Sequence, residues 1–517
     1  MQQSDASEPP STTADRIGVV ILAAGKGTRM QSRLSKLVHP VAGLPMVRQV
    51  VELGRQLQPT ATALIVGHEA EQVIAAAGDG IAVAYQTEQL GTGHAVLQAR
   101  AALQGRADII VVLYGDTALL RLETLHAMIA RAADAALVLL TFRRGSSPVH
   151  DAVSASYGRI DRDDQDRVVG IIELPGSRRY DEIQEVNAGV MVARADWLWE
   201  HVGRLPRSEK GEYFLTDLVA LATDAGVLVD AVQPGDPDEI LGVNTQAQLA
   251  DVNRIALGRI RTRLLDAGVR MLDPMTVYID STVQVGPDTV LHPNTHLRGT
   301  TVVGAGTEIG PNSVIDSTVI GERCRVIASV LEHAWVGNDV TIGPFSHLRP
   351  GARIEDGAEL GNYAEVKAAT VGPRTKVHHF SYIGDATLGA DTNVGAGTIT
   401  CNYDGTAKHR TTVGDGVFIG SDTMLVAPVT LGDGARTGAG SVVTRDVAAG
   451  QLVVGIPARP IPARPPKPSA VPSTSPPPGL APDPPTLSAA SAGSASGSDQ
   501  APATPAAPDA ADGSPRE

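Results

Sequence analysis

Between Val336 and Val442 the chain repeats every six residues: VGNDVT, IGPFSH, LRPGAR, IEDGAE and LGNYAE follow one another in register. After short slips the register resumes as LGADTN, VGAGTI, VGDGVF, IGSDTM, LVAPVT and LGDGAR. An aliphatic residue opens nearly every hexad, Gly commonly follows, and a small residue often sits fifth. A helical stripe recurs roughly every three to four residues, so no helix explains this period. It is the period of a parallel β-helix, in which each hexad makes one short strand and a corner and three hexads close a coil. The aliphatic side chains then stack down the axis, because no coil buries its face alone. Gly, Asp and Asn suit corners that need unusual backbone dihedrals. Function has to be argued separately, since the same solenoid can be a mere scaffold.

The rest of the chain is arranged around this solenoid. Residues 1–15, MQQSDASEPPSTTAD, are polar, read as a disordered extension and carry no apolar run of a signal peptide. Residues 16–245 alternate apolar strands (Ile17 to Leu22, Ala63 to Val66, Asp108 to Leu113) with helical patterns such as Val47 to Leu57. That alternation predicts a parallel or mostly parallel α/β sheet with ligands beyond the carboxyl ends of its strands. Residues 246–275 form an arm, with one helix from Gln246 to a stop near Gly268. Weak hexads begin at Val277, strengthen after Val302 and end near Val447, which places the β-helix at 276–460. Residues 461–517 are Pro, Ala, Ser and Gly with few aliphatics, too little apolar surface to offset the entropy of ordering them.

Composition narrows the function. Aromatics are only 3%, which suits a thin solenoid core, and the net charge of -14 argues against nucleic acid or an anionic membrane as partner. Anionic small molecules remain open, since they need only local cations. Cys324 and Cys401 lie in different repeats with no metal-type spacing, which favours a reducing, cytoplasmic home. No stretch approaches the roughly 20 apolar residues of a membrane span.

In the first domain, Gly25-Lys26-Gly27-Thr28-Arg29-Met30 follows the first strand. It lacks the G-K-[ST] end of a Walker loop, and Met30 stands where a dinucleotide fingerprint has its third Gly. What remains is a backbone open to close approach, with Lys26, Arg29 and Lys36 nearby, a combination suited to a triphosphate. Asp116, after the strand ending at Tyr114-Gly115, is a natural hard ligand for Mg²⁺. The run QTEQLGTGHA from Gln86 supplies amides and a Gly pair for a base edge. An ordinary turn, a helix cap or exposed cations would account for each of these features taken alone.

In the solenoid, Arg349 and Lys367 each stand second in a hexad, where Gly is usual, and lie three hexads apart. One coil therefore separates them, and they should stack on one edge about 5 Å apart. Stacked like charges are unfavourable unless an anion binds between them, or a neighbour such as Glu365 neutralises them. His379 and Tyr382 should approach the same edge, and histidine is suited to taking a proton from a nucleophile. From Thr400 to Thr412 the repeat is interrupted and must loop out, and loops on a rigid scaffold commonly carry function.

LAAGKGTRM from Leu22, with Lys36, resembles the sugar-phosphate nucleotidyltransferase signature, and QTEQLGTGHA, YGD, YGRI from Tyr157, Glu173, EVNAG from Glu185 and GVNT from Gly242 follow in that family's order. Joined to hexads containing GAGTITCNYDG, the chain from about Ile17 to Pro457 resembles the bifunctional N-acetylglucosamine-1-phosphate uridyltransferase/glucosamine-1-phosphate acetyltransferase family. The resemblance implies a Rossmann-like uridyltransferase domain and a left-handed β-helix acetyltransferase domain. Acetyl-CoA would N-acetylate glucosamine 1-phosphate, and UTP would then uridylylate the product, supplying peptidoglycan and lipopolysaccharide precursors.

By the same resemblance, Asp116 and Asn244 hold Mg²⁺, and Leu22, Ala23, Ala24, Gly25, Arg29 and Lys36 lie along the nucleotide and its phosphates. Gln86, Gly91 and Thr92 surround uracil, with Tyr114 and Gly115 beside them, and Gly158, Glu173 and Asn187 hold the N-acetyl sugar. Arg349 and Lys367 bind glucosamine 1-phosphate, Tyr382 and Asn393 hold its sugar, and His379 is the catalytic base. Asn402 and Tyr403 complete the site, and Ala396, Ser421 and Ala439 line the acetyl-CoA channel. Three chains are implied to pack as a homotrimer with sites between subunits. Ser35 and Ala118 stand where family members often carry Pro, and Arg459 is a candidate replacement for an arginine expected near Gly455-Ile456.

Two other readings remain at this stage: a single-activity sugar-nucleotide pyrophosphorylase with a regulatory β-helix, and a non-catalytic scaffold. Aligned Arg349, Lys367 and His379 are superfluous to the first, and Lys36, Asp116 and Asn244 to the second. The chain beyond about Arg464 lacks a core and follows the last candidate residue. Cutting there should leave pyrophosphate release from UTP and thiol release from acetyl-CoA at their full-length rates.

Overall fold

The computed structural model describes residues 15–145, 148–155, 157–173, 178–209 and 211–461. The N-terminal extension up to Ala14 and the tail beyond Ile461 lie outside the described residues.

The buried strand Ile17–Ala23 runs parallel to Ala61–Val66 on one side and to Ile109–Tyr114 on the other. With both faces covered, these strands are continuous apolar runs rather than alternating ones. Across the sheet the order is Val229–Val232, Leu137–Arg143, Glu185–Arg194, Ile109–Tyr114, Ile17–Ala23, Ala61–Val66, Ala82–Tyr85, and the strand Arg159–Arg162 pairs off this path with Glu185–Arg194 and Val168–Ile172. Glu185–Arg194 is antiparallel to both of its neighbours, so the sheet is mostly rather than wholly parallel. The expected helix near Val47 forms at Met46–Gln56 and buries Met46, Val47, Val50 and Val51.

Thr245 caps the helix Gln246–Asp266, its Oγ1 accepting from Gln248 N at 3.2 Å. Val252, Leu257, Ile260 and Leu264 bury one face of it. The buried Arg261 Nε donates to Val277 O at 2.8 Å, which ties the helix to the start of the solenoid. The first solenoid strand is Arg270–Met271, paired with Val290–Leu291, so the coil begins inside the stretch read from hexads as arm. The hexad register fails there because the turn Pro274–Thr276 lengthens the step from Arg270–Met271 to the next strand, Tyr278–Ile279. Ser281 N donates to Ala42 O at 2.8 Å, joining the solenoid to the α/β domain.

Three sheets form the faces of the solenoid, and within each the strand of one coil pairs in parallel with its counterpart in the next, one terminal antiparallel strand excepted. Ile342, Leu360, Val377, Val394 and Ile419 align in register and stack as one buried column. Buried Thr and Ser line the corners and satisfy their hydroxyls on backbone carbonyls, as Thr375 Oγ1 does on Gly389 O at 2.6 Å. Asn294, Asn312 and Asp339 take the expected positive φ, but so do Phe345 (φ 63) and Tyr363 (φ 58). Their exposed rings stack at 5.3 Å, a contact available only because the corners repeat coil by coil. The predicted interruption is shorter than expected. Thr400 and Cys401 stay in the strand Ile399–Cys401 and Thr411–Thr412 in Thr411–Val413, so only residues 402–410 loop out.

Leu360→Ala, in the middle of the buried column, should cost about 2–5 kcal/mol, whereas Val319→Ala at an exposed strand position should stay within about 0.5 kcal/mol. Thermal midpoints of the two purified variants check this difference.

Candidate functional site

A cavity of about 280 Å³ opens at the carboxyl ends of Ile17–Ala23 and Ile109–Tyr114. Leu22, Ala23, Ala24, Gly25, Lys36, Gln86, Gly91, Thr92, Tyr114 and Asp116 line it, so ten of the positions singled out in the sequence meet there. Gly115 N donates to Leu22 O at 3.0 Å, which seats the turn before Asp116 against the first strand. Gly91 has φ +94, and a Cβ on it would fall 2.6 Å from Tyr213 O, so only Gly fits. Leu215 N donates to Thr92 Oγ1 at 3.0 Å, fastening the same segment to that wall.

The electrostatic centre of the cavity is Lys36. Its Nζ lies 2.6 Å from Asp116 Oδ2 and 3.2 Å from Asn244 Oδ1, and the Lys36–Asp116 pair is largely shielded from solvent. Burial and the carboxylate of Asp116 hold the Tyr114 phenol neutral, well above the usual tyrosine range. Arg29 is exposed, outside the cavity lining, and its charge is felt at Tyr157. Gly158, Glu173 and Asn187 also lie beyond the lining but sit together, with Asn187 N donating to Gly158 O at 2.9 Å and Glu173 packed over Gly158. Tyr114 connects them to the cavity, because its phenol senses the charge of Glu173 and its ring packs on Gly189.

In the solenoid, Arg349 and Lys367 do occupy successive coils, with Arg349 N donating to Val366 O at 2.8 Å. Glu365 takes up one of the two charges, its Oε1 accepting from Arg349 Nη1 at 2.8 Å. Lys367 meets Lys408 from the 402–410 loop, and that amine together with Arg349 pulls the Lys367 pKa below the usual lysine range. Tyr382 lies flat over Gly384, where a Cβ would fall 2.4 Å from its Oη. Asn402 Nδ2 donates to Asp385 Oδ2 at 2.5 Å and reaches Tyr382 Oη at 3.4 Å. Tyr403 is exposed, its Oη donating to Gly405 O at 2.6 Å, and Asp404 pins the loop by accepting from Thr406 N and Ala407 N.

His379 stands exposed at the end of the strand Lys376–His379, with no hydrogen bond to the cation cluster among the described residues. Its corner is repeated below it. Gly397 N donates to Phe380 O, Asp422 N to Ala396 O and Gly440 N to Ser421 O, so Ala396, Ser421 and Ala439 descend from His379 coil by coil. Asn393 is exposed on the strand Asn393–Val394, beside Lys376 and Phe418, and no hydrogen bond joins it to Tyr382 among the described residues. Arg459 lies on the terminal strand Arg459–Pro460, paired with Val454.

The family described as MobA-like NTP transferase domain matches residues 19–173, and bacterial transferase hexapeptide repeats match 282–317, 333–368 and 410–445. The bifunctional protein GlmU of Pelobacter propionicus is 44% identical over 448 residues, covering 85% of this chain and 96% of that protein. The GlmU of Alkalilimnicola ehrlichii is 46% identical over 434 residues (83% and 92%), and that of Streptomyces avermitilis 43% over 445 (84% and 91%). This chain belongs to the GlmU family.

As a GlmU-family member it is a bifunctional transferase of UDP-N-acetylglucosamine synthesis, with a nucleotidyltransferase domain followed by a left-handed β-helix of the acyltransferase type. Among the described residues no group of three or more His, Cys, Asp or Glu could hold a metal, and no helix is long and apolar enough to cross a membrane. Asp116 and Asn244 nonetheless fit a hard cation, since their two oxygens converge on the ammonium of Lys36. Such a pair suits an ion that takes its remaining ligands from phosphate and water.

Sequence reasoning placed Gln89 in the run that meets the cavity, but missed Lys408 and Asp385 in the solenoid cluster and Glu212 on the cavity wall. Lys408 has no hexad register to flag it, and Glu212 is far from the cavity in sequence. The Lys36 ammonium and a divalent cation would compete for the same two oxygens. Lys36→Met should therefore tighten binding of Mn²⁺ without nucleotide by roughly tenfold, as expected for removing one ion-paired competitor. Calorimetric titration checks it, and Asp116→Asn in the same background should abolish the gain.

Proposed function

We propose that the α/β cavity transfers uridylyl groups and that the solenoid cluster transfers acetyl groups, with the residue roles that the family resemblance implies. The observation that carries the uridylyl assignment is the convergence of Lys36, Asp116 and Asn244 beside the Gly-rich turn. The phosphate oxygen of N-acetylglucosamine 1-phosphate attacks the α-phosphorus of UTP, forming one P–O bond while the bond to pyrophosphate breaks. The nucleophile is already anionic, so the site needs no strong base. It needs positioning and charge neutralisation. Arg29 and Lys36 meet the triphosphate, Gln86 and Gly91 the base, and Gly158, Glu173 and Asn187 the sugar. Asp116 and Asn244 would hold Mg²⁺, which when bound would add neutralisation of phosphate charge.

In the solenoid, Arg349 and Lys367 hold the phosphate of glucosamine 1-phosphate. The repulsion that lowers the Lys367 pKa supports this, since a bound phosphate relieves it. The sugar amine attacks the thioester carbonyl of acetyl-CoA, a C–N bond replaces the C–S bond, His379 takes the amine proton, and the coenzyme thiolate is protonated as it leaves. Tyr382 and Asn393 orient the sugar, Asn402 and Tyr403 close the site, and the coenzyme follows the corner through Ala396, Ser421 and Ala439. The exposure of His379, Asn393 and Tyr403 in a single chain supports a homotrimer in which a neighbour covers them. The cytoplasm, where both co-substrates are made, is the proposed location.

Two assays on each folded variant test the division of labour. Asp116→Asn should abolish pyrophosphate release from UTP and leave coenzyme A release nearly unchanged. His379→Ala should do the reverse, with a loss of roughly 10²–10⁴-fold in acetyl transfer. Acetyl transfer at the parent rate in His379→Ala would refute the base assignment, and loss of both activities in Asp116→Asn would refute two independent sites.

A further inference from the structure

Gln86 is 5% exposed, and its backbone N donates to Val66 O at 2.8 Å, so its position at the cavity wall is fixed. Its carboxamide nitrogen is engaged twice, by Gly91 O at 2.9 Å and by His94 Nδ1 at 3.2 Å, and His94 is not part of the cavity lining. On the far side of that imidazole, Gln98 Nε2 lies 3.1 Å from His94 Nε2 and 3.1 Å from His94 O. His94 and Gln98 share one face of the helix Thr92–Gln98 and stand behind Gln86, outside the cavity lining.

A neutral imidazole has one N–H and one acceptor nitrogen, so it cannot accept from both carboxamides. One of the two must turn its oxygen toward the ring. Gln98 is half-buried, and the bond it would surrender, to a carbonyl one helical turn away, is one that water can replace. Gln86 is buried and would surrender Gly91 O with no replacement. Gln98 therefore yields: His94 carries its proton on Nε2, and Nδ1 accepts from Gln86. The Gln86 nitrogen is thereby held against the wall, and its oxygen, which has no partner among the described residues, is the atom left for the cavity.

We propose that His94, set by Gln98, is a positioning residue that locks the Gln86 carboxamide oxygen toward the bound pyrimidine, so that the site selects uracil over cytosine. The proposal rests on the reading of this cavity as the UTP site. Uracil offers an N–H at N3, which that oxygen accepts. Cytosine offers a lone pair at N3, which it repels. A site built to hydrogen-bond one group rejects an analogue that lacks it, because a buried polar atom is then left unpaired.

The test is competition between UTP and CTP in the uridylyl assay, on full-length folded protein, with thermal melts to confirm folding. His94→Phe removes the acceptor behind Gln86 and should lower the UTP-over-CTP preference in kcat/KM by about tenfold, one hydrogen bond's worth, mainly through KM for UTP. Gln98→Glu presents only an acceptor to His94 Nε2–H and, assayed at about pH 9 so that the carboxylate does not turn the ring into an imidazolium with two N–H donors, should retain or raise the preference, whereas Gln98→Lys, a donor only, should lower it. An unchanged preference in His94→Phe, or a loss in Gln98→Glu, would overturn the proposal. Should His94→Phe fail to fold, the opposed Gln98 pair still decides. Gln86→Leu separates the two levels: UTP use unaffected by it would sink the reading of the cavity as the base site. Loss in Gln86→Leu with no effect of the His94 and Gln98 variants would sink the positioning role alone.

Discussion

Parallel pairing of each solenoid strand with its counterpart one coil on is the constraint from which the second half of the molecule follows. It removes every choice of register. A residue that points outward on one coil has an outward-pointing residue directly above and below it, and chemistry placed at one position is offered again at a fixed step. Arg349 and Lys367 become neighbours for this reason alone, as do Ala396, Ser421 and Ala439 below His379. The buried column through Ile342, Leu360 and Val377 holds this register, since a slipped coil would expose aliphatic side chains and strand the hydroxyls that line the corners.

The α/β domain is held by a different logic. Its site lies where strands end, so it is assembled from segments far apart in sequence, and their meeting depends on the sheet. The turn at Gly25, the turn at Asp116 and the start of the long helix at Asn244 are brought to one point because Ile17–Ala23 and Ile109–Tyr114 are adjacent in the sheet and Thr245 caps the helix beside them. Lys36 supplies the charge that lets a carboxylate and a carboxamide oxygen share that point.

What could be read in the sequence divides along the same line. A strict period converts sequence distance into spatial distance, so the buried column and the placement of Arg349 and Lys367 on successive coils were legible from spacing. The loop at 402–410 breaks the period, and Lys408, which it carries to Lys367, was invisible. Phe345 and Tyr363 were missed because their left-handed backbone is offset by a stacking contact that exists only between coils. In the α/β domain no period relates Lys36 to Asn244, and their meeting was accessible only through resemblance. The solenoid strand at Arg270 escaped the spacing because the turn Pro274–Thr276 puts it out of hexad register with the strands that follow.

The two sites also differ in how their charges are balanced before substrate arrives. In the α/β cavity the central cation is paired, Lys36 with Asp116. In the solenoid one cation of the stack is paired, Arg349 with Glu365, while Lys367 faces the like charge of Lys408. The first arrangement needs an incoming charge to redistribute an existing pair, so a triphosphate and a divalent cation, each able to claim one partner, suit it together. The second holds two lysines whose mutual repulsion the Asp385 carboxylate offsets only in part for Lys367, a setting that would suit a single phosphate. The proposed roles match that difference: an anionic nucleophile needs only to have its charge managed, whereas an amine must also lose a proton, and the exposed histidine on the adjoining corner is the proposed acceptor.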